Sequence, residues 1–400
     1  MLPRHTDNSP SRKERDVSER LNVTHVVLSL DVGGLERNVV NQIREGEKLG
    51  QRVSIVCIER PGTLAAKAES LGARLVSLDK RPGLRPRIIA RLRASFRELR
   101  PDVVHTHQIG PLLYTGPAIR SLRIPLLVHT EHGKANYDRL KTRWLGRLGA
   151  YFVDRFYCLS EDMATAVSAH RIVNPRKLAV IANGIDTACY TEAGGSEEVR
   201  RTLGIPNSAP VIGTVGRLNE IKRQDVLIRA FAMVRECVPD AHLMLVGDGP
   251  LGRELRALRD RLGLAAFVHF AGYQELTAPY LQAMNCFALP SRSEGMPQSL
   301  LEACAAGVPV IAARVGGIPE VIEHERTGLL VETGDAKALA DGLLQLLGSP
   351  ERSRILSEAA RLKVLARYHI RRMVGDYHRD YLEMLGRKAS WKRSQLLHAN

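Results

Sequence analysis

Two glutamates, Glu294 and Glu302, stand with seven residues between them in the run PSRSEGMPQSLLEACAAGVPVIAARVGGIPEVI. Pro297 favours the first position of a helix, which then runs to about Gly307 and carries Glu302 in its second turn. Glu294 falls in the loop before it, beside Gly295 and Met296. A glycine-containing loop and the free amides of a helix start can hold an anionic or hydroxyl-rich ligand. A carboxylate accepts hydrogen bonds well from paired sugar hydroxyls, so a ribose is a natural partner for Glu302. The pair alone fits better a surface acid ahead of a helix and an ordinary helix glutamate behind it.

Other segments could complete such a site. In GTVGRLNEIKRQD a strand ends at Gly216, and the following loop offers Arg217 and Lys222. A guanidinium grips two oxygens and an ammonium adds a compact charge, which suits a diphosphate. LVGDGP repeats the strand-then-glycine arrangement at Gly247 and Gly249, as expected for another loop lining the same cleft. SLDVGGLERNVV places Gly33 and Gly34 between a strand and a helix, where bare backbone approaches an anion closely. That turn lacks the G-x-G-x-x-G spacing of a dinucleotide fold, so a dehydrogenase finds no support. His105 and His107 are expected on opposite faces of the DVVHTH strand, one buried against a helix, and His132 in VHTEHGK follows the next strand toward the cleft.

The elements that position these residues alternate in period. Short runs rich in Val, Ile and Leu (THVVLSL, RVSIVCI, ARLVSL, LLVHT) are separated by stretches long enough for crossover helices. That pattern predicts a parallel sheet with helices on both faces. It pauses near residues 187–208 and restarts with VIGTVG and AHLMLVG. The chain therefore reads as an α/β protein with two doubly wound domains: 22–186, then a linker 187–208, then 209–368. A helix over 369–386, with Met373, Val374, Tyr377, Tyr381 and Leu385 on one side, is long enough to cross back onto the first domain. Residues 1–21 are expected to be disordered and 387–400 to form a basic tail.

Composition is that of an ordinary globular protein, 44% hydrophobic and 25% charged. No apolar run approaches the length that spans a bilayer, and residues 1–20 have no apolar centre that would make a secretory signal, so a cytoplasmic location is expected. Six single cysteines without a C-x-x-C pair read as small core residues. The net charge of +15 is local: Lys and Arg outnumber Asp and Glu by 19 to 7 in residues 51–150 and by 12 to 5 in residues 351–400. Arginine-rich helical patterns at RPGLRPRIIARLRASFRELRP and YDRLKTRWLGRLGAYF, the second with Trp144 and Leu148, fit either an anionic membrane surface or a solvated basic face over a sheet. No aromatic stacking pattern or zinc spacing accompanies the charge, so nucleic acid is not an expected partner.

From about residue 22 to 385 the chain resembles the retaining glycosyltransferases of family 4, which have the GT-B fold. The motifs that carry the resemblance are the E-x7-E stretch, GTVGRLNEIKRQD, LVGDGP and DVGGLER. It implies that Glu294, with Gly295, Met296 and Pro297, meets the donor sugar and that Glu302 holds the nucleotide ribose. It further implies that Arg217, Lys222, Gly33 and Gly34 bind the donor diphosphate, and that His107 approaches the transferred sugar and, with Glu294, serves catalysis. Arg223 departs from the pattern, since many relatives carry glycine there. The implied reaction retains anomeric configuration, with the leaving diphosphate helping to take the acceptor proton. No D-x-D triplet occurs, which agrees with an enzyme that needs no metal or other cofactor. The implied partners are a UDP- or GDP-type sugar donor and a glycan or lipid-linked acceptor of polysaccharide or surface-glycan synthesis. The implied setting is peripheral, on the cytoplasmic face of an anionic membrane. An epimerase or phosphorylase on the same fold and a non-catalytic partner subunit are the alternatives.

Overall fold

The computed structural model describes residues 20–31, 33–133, 137, 139–192 and 194–397. Residues 1–19 of the expected N-terminal segment lie outside that range. Seven strands, β1 (Leu21–Val27), β2 (Gln51–Cys57), β3 (Arg74–Ser77), β4 (Val103–His107), β5 (Leu126–Glu131), β6 (Arg155–Cys158) and β7 (Leu178–Val180), form one parallel sheet in the order β3-β2-β1-β4-β5-β6-β7. Six more, β8 (Val211–Val215), β9 (His242–Val246), β10 (Val268–Gly272), β11 (Cys286–Leu289), β12 (Val310–Ala313) and β13 (Leu329–Val331), form a second in the order β10-β9-β8-β11-β12-β13. Both are Rossmann-like, with helices covering the sheets.

Strand alternation builds two faces on each sheet. In the first, Val26, Val104, Leu127 and Phe156 pack under the helices Arg87–Leu99, Ile109–Ile119 and Leu140–Ala150. Val23, Val103, Val128 and Tyr157 face the other way and are covered by Met373, Val374, Tyr377 and Tyr381. Those four belong to the helix Ile370–Leu397, which lies against the first sheet. It continues past residue 386 through what was expected to be a tail, because proline, the strong helix breaker, does not occur there.

The chain passes between the two sheets twice, and the two passages pair with each other. Ile185 donates its N–H to the Tyr368 carbonyl and accepts from Ile370, both at 2.9 Å. In each sheet the strand order reverses between the first strand and its sequence-distant neighbour, β1/β4 and β8/β11. Ligands bind outside the carboxyl ends of strands at such points. The loops after β1, β8 and β11 carry Gly33, Arg217, Lys222 and Glu294, and β4 ends at His107.

One expectation needs correction. Cys57, Cys158, Cys286 and Cys304 are buried, but Cys189 and Cys237 are exposed, so not all six are core residues. The helix Leu140–Ala150 buries Gly146, Gly149 and Ala150, small residues that let it lie close, and turns its large apolar side chains outward. Among the described residues no helix is long and apolar enough to cross a membrane.

Candidate active site

The loop after β8 is shaped locally. The Asn219 side-chain oxygen accepts from the amides of Ile221 and Lys222, both at 3.1 Å, and turns the chain so that Lys222 points across to the loop after β11. There its ammonium lies 2.6 Å from Glu294 Oε1. Arg217 is exposed, and its charge acts on Asp31 and Glu36 of the first domain. A Cβ on Gly247 or Gly249 would overlap the carbonyl oxygen of Gly216 or Leu218, so both glycines pack closely against the Arg217 loop. Arg223 adopts a left-handed conformation (φ 52°), which explains why glycine suits that position; its guanidinium is tied to Asp225.

Pro297 caps the helix Gln298–Ala305 from outside rather than occupying its first turn, since its ψ of 122° is extended. Glu302 stays in the second turn and is buried, with Thr277 Oγ1 donating to Oε2 at 3.1 Å and an Arg37 nitrogen 3.7 Å from Oε1. Arg37, Tyr190, Tyr273, Thr277, Gln298 and Glu302 line one cavity between the domains. The Gln298 side-chain amide nitrogen is buried there without a partner. Across the cleft stands Gly34: a Cβ on it would lie 3.7 Å from Gln298 Oε1. Gly33, extended at φ −168°, precedes the helix Gly34–Lys48, and the Glu36 carboxylate folds back over it. Burial, with Asp31 adding, pushes Glu36 up to about 7.

The two domains touch along the E-x7-E loop. A Cβ on Gly295 would sit 2.7 Å from the His132 carbonyl oxygen. Asn183 donates to the Met296 carbonyl at 2.8 Å and accepts from Asn38 at 2.7 Å. The sequence reading missed Arg37, Asn183, Thr277 and Gln298. Gln298 lies inside the quoted run, but its unpartnered nitrogen is visible only once the loop from the other domain is in place.

His105 and His107 do not face opposite ways. They are two residues apart on β4 and so share a face, with ring centroids 4.3 Å apart. His107 is buried and its ring nitrogens are 3.0 Å from His25 Nδ1 and 3.0 Å from His132 Nε2. His105 is held between Thr130 and the Tyr381 hydroxyl of the last helix, each at 2.7 Å. Burial holds His25 and His132 down to about 4, and His105 and His107 well below the usual histidine range. His25, His105 and His107 are the one trio among the described residues whose atoms could gather around a metal ion. The hydrogen bonds above already engage both ring nitrogens of His105 and His107 and one of His25.

The description Glycosyltransferase Family 4 matches residues 32–188, and Glycosyl transferases group 1 matches residues 209–349. The chain is 33% identical to the D-inositol 3-phosphate glycosyltransferase of Corynebacterium aurimucosum over 82% of this chain and 86% of that protein. It is 28% identical to the UDP-Gal:alpha-D-GlcNAc-diphosphoundecaprenol alpha-1,3-galactosyltransferase of Escherichia coli over 72% and 76%. Against the N-acetyl-alpha-D-glucosaminyl L-malate synthase of Bacillus anthracis it is 35% identical over 58% of this chain and 62% of that protein, just under two thirds of its length. In fold it matches Anabaena HepE, solved in complex with UDP-glucose, with a TM-score of 0.81 over 92% of this chain and all of that one, at 23% identity. With two Rossmann-like sheets facing one cleft and both family descriptions falling on them in order, the chain belongs to the group 1, family 4 glycosyltransferases of GT-B fold.

Proposed function

We propose that this glycosyltransferase moves a sugar from a UDP-sugar, with retention and without a metal, to a glycan or lipid-linked acceptor of surface-glycan synthesis at the cytoplasmic face of a membrane. The observation that carries the reading is the spacing of the two glutamates along one cleft. Glu294 sits with Lys222 where the domains meet, and Glu302 lies at the base of a cavity with Thr277. A nucleoside diphosphate sugar needs those stations in that order: sugar, diphosphate, ribose. Uridine is favoured over guanosine because the E. coli relative is named for a UDP-sugar and HepE was solved with one.

In the proposed reaction the bond from the anomeric carbon to the diphosphate oxygen breaks. The acceptor oxygen bonds to that carbon on the same face, and its proton passes to the departing diphosphate. Arg217, Lys222 and the amides at the start of Gln298–Ala305 stabilise the charge on that group. Lys222 must then turn from Glu294, which frees the carboxylate for sugar hydroxyls.

Ligand-dependent melting against uridine, guanosine and adenosine diphosphates and their sugars tests this. UDP at about a hundred times its dissociation constant should stabilise the protein by about 2.7 kcal/mol. Glu302→Ala and Arg217→Ala should each abolish most of that shift. Absence of stabilisation by every nucleotide, in folded protein, would sink the donor site and favour a non-catalytic partner.

The membrane setting is supported by one outward stripe. Leu140, Trp144, Leu148 and Tyr151 are 71%, 68%, 58% and 68% exposed. At helical spacing they fall within an arc of about 80°. Arg139, Lys141, Arg143 and Arg147 flank them, a pattern that suits the boundary between anionic headgroups and acyl chains. The stripe begins eight residues after His132, so an acceptor held in the bilayer would meet the cleft beside it. The protein should sediment with phosphatidylglycerol vesicles but weakly with phosphatidylcholine. Trp144→Ser with Leu148→Ser should weaken that binding about tenfold or more. Equal binding by wild type and variant would assign the stripe elsewhere.

A further inference from the structure

Three imidazoles form a line from the cleft into the first sheet. His132 Nε2 is 3.0 Å from His107 Nδ1, and His107 Nε2 is 3.0 Å from His25 Nδ1. His25 and His107 are 2% and 1% exposed, and β1 and β4 hold their backbones in register, His25 opposite His105. His105 covers the His107 ring on one side, and its own nitrogens are taken by Thr130 and Tyr381. His107 therefore spends both nitrogens inside the protein. The imidazole at the cleft end of the line is His132, whose backbone meets Gly295.

Each contact between neutral rings needs one N–H and one lone pair. Burial disfavours charge on all three rings. Two arrangements then satisfy both contacts. Either every ring carries its proton on Nδ1 and the line donates outward, or every ring carries it on Nε2 and the line donates inward. Any other assignment sets two protons or two lone pairs against each other in a buried place. In the first arrangement His132 offers an N–H from Nδ1, and in the second a lone pair.

We propose that His25, remote from the cleft, is a positioning residue: through His107 it sets whether His132 presents a proton or a lone pair to the donor sugar. The sugar end of this statement rests on the donor-site reading above; the coupling of the three rings does not. A sugar hydroxyl that binds His132 Nδ1 in one sense would select one arrangement of the whole line, and His25 would register it.

Long-range proton–nitrogen NMR of the full chain with nitrogen-15 histidine tests this at neutral pH, with signals assigned by single His→Gln variants. The expected spectrum shows His25, His107 and His132 all neutral and all protonated on the same nitrogen, Nδ1 or Nε2. In His25→Phe, His107 and His132 should become mixtures of tautomers, while His25→Gln, which can still donate or accept, should keep His107 in one. UDP alone should leave the His25 ring signals in place, whereas UDP-glucose, UDP-galactose or UDP-N-acetylglucosamine, whichever binds, should move them. With that donor, His25→Phe should lower the rate of transfer or of donor hydrolysis about tenfold, with UDP affinity unchanged. Unlike tautomers along the line, or a charged ring, in the wild-type protein would overturn the coupling whatever the ligand does. Coupled rings with His25 signals that ignore a bound UDP-sugar would overturn the sugar-reading role alone. Failure of UDP itself to bind would instead remove the donor site.

Discussion

Gly316→Ala should cut sugar transfer about a hundredfold although Gly316 carries no functional group. Its φ is +55°, and a Cβ there would overlap the carbonyl oxygen of Glu294 and approach its Cα to 3.5 Å. Because the obstruction is backbone, no side chain can swing aside. The alanine must leave the left-handed region or push Glu294, and Lys222 follows through its 2.6 Å contact. A displacement of about 1 Å at a reacting group costs about two orders of magnitude in rate. The strain on alanine itself is on the order of 1–2 kcal/mol, which a chain of this size should tolerate. The comparison is Gly375→Ala, in the last helix with nothing within 4 Å of its added methyl. That variant should keep full activity and gain about 0.5–1 kcal/mol. Steady-state rates and melting curves of both decide the matter, and an active Gly316→Ala would show that the Glu294 backbone has freedom the geometry denies it.

The second large effect is acid lability. His25 and His132 ionise at about 4 in the folded chain, against about 6.5 when unfolded. The folded state therefore binds fewer protons than the unfolded state once the pH drops below about 6.5, so stability is lost as pH falls from there toward 4. At pH 5 the loss is on the order of 2 kcal/mol for each of the two, and His105 and His107 add to it in the same direction. Glu36 opposes them. Its carboxyl, raised to about 7, holds a proton in the folded state that the unfolded chain releases, so it contributes stability as pH falls through 7. Its offset is on the order of 2 kcal/mol at pH 5, about half the loss from His25 and His132 together. Melting temperature should thus fall clearly between pH 7.5 and pH 5, and fall further in Glu36→Gln, where the offset is gone. A flat profile in both proteins would mean that the histidines gain water or a counter-charge on folding.

Much of the fold was legible because it depends on periodicity along the chain. The strand runs from THVVLSL to AHLMLVG fall in two parallel sheets, and Met373, Val374, Tyr377 and Tyr381 share the packed side of the last helix. The helix Leu140–Ala150 was ambiguous for a physical reason. An amphipathic stripe has the same spacing whether it packs inward or outward, and only Gly146 and Gly149, against Tyr137 and Leu112, show which side is buried. The reading of His105 and His107 failed because a period of two places them on one face.

By itself the sequence determined the two-domain α/β organisation, the family, and the short-range order of each loop: Arg217 before Lys222, and Glu294 ahead of Glu302 with seven residues between them. These are set by contacts between near neighbours and by strand and helix periods. Only the tertiary structure decided which groups from different segments share the cleft. Arg37 beside Glu302, Lys222 against Glu294, Asn183 under Met296 and His25 behind His107 are pairs 72 to 265 residues apart. Such pairs leave no periodic trace in a single chain, because the hydrophobic burial that brings them together acts on the sheets and helices, and the polar side chains are carried to their partners by that packing.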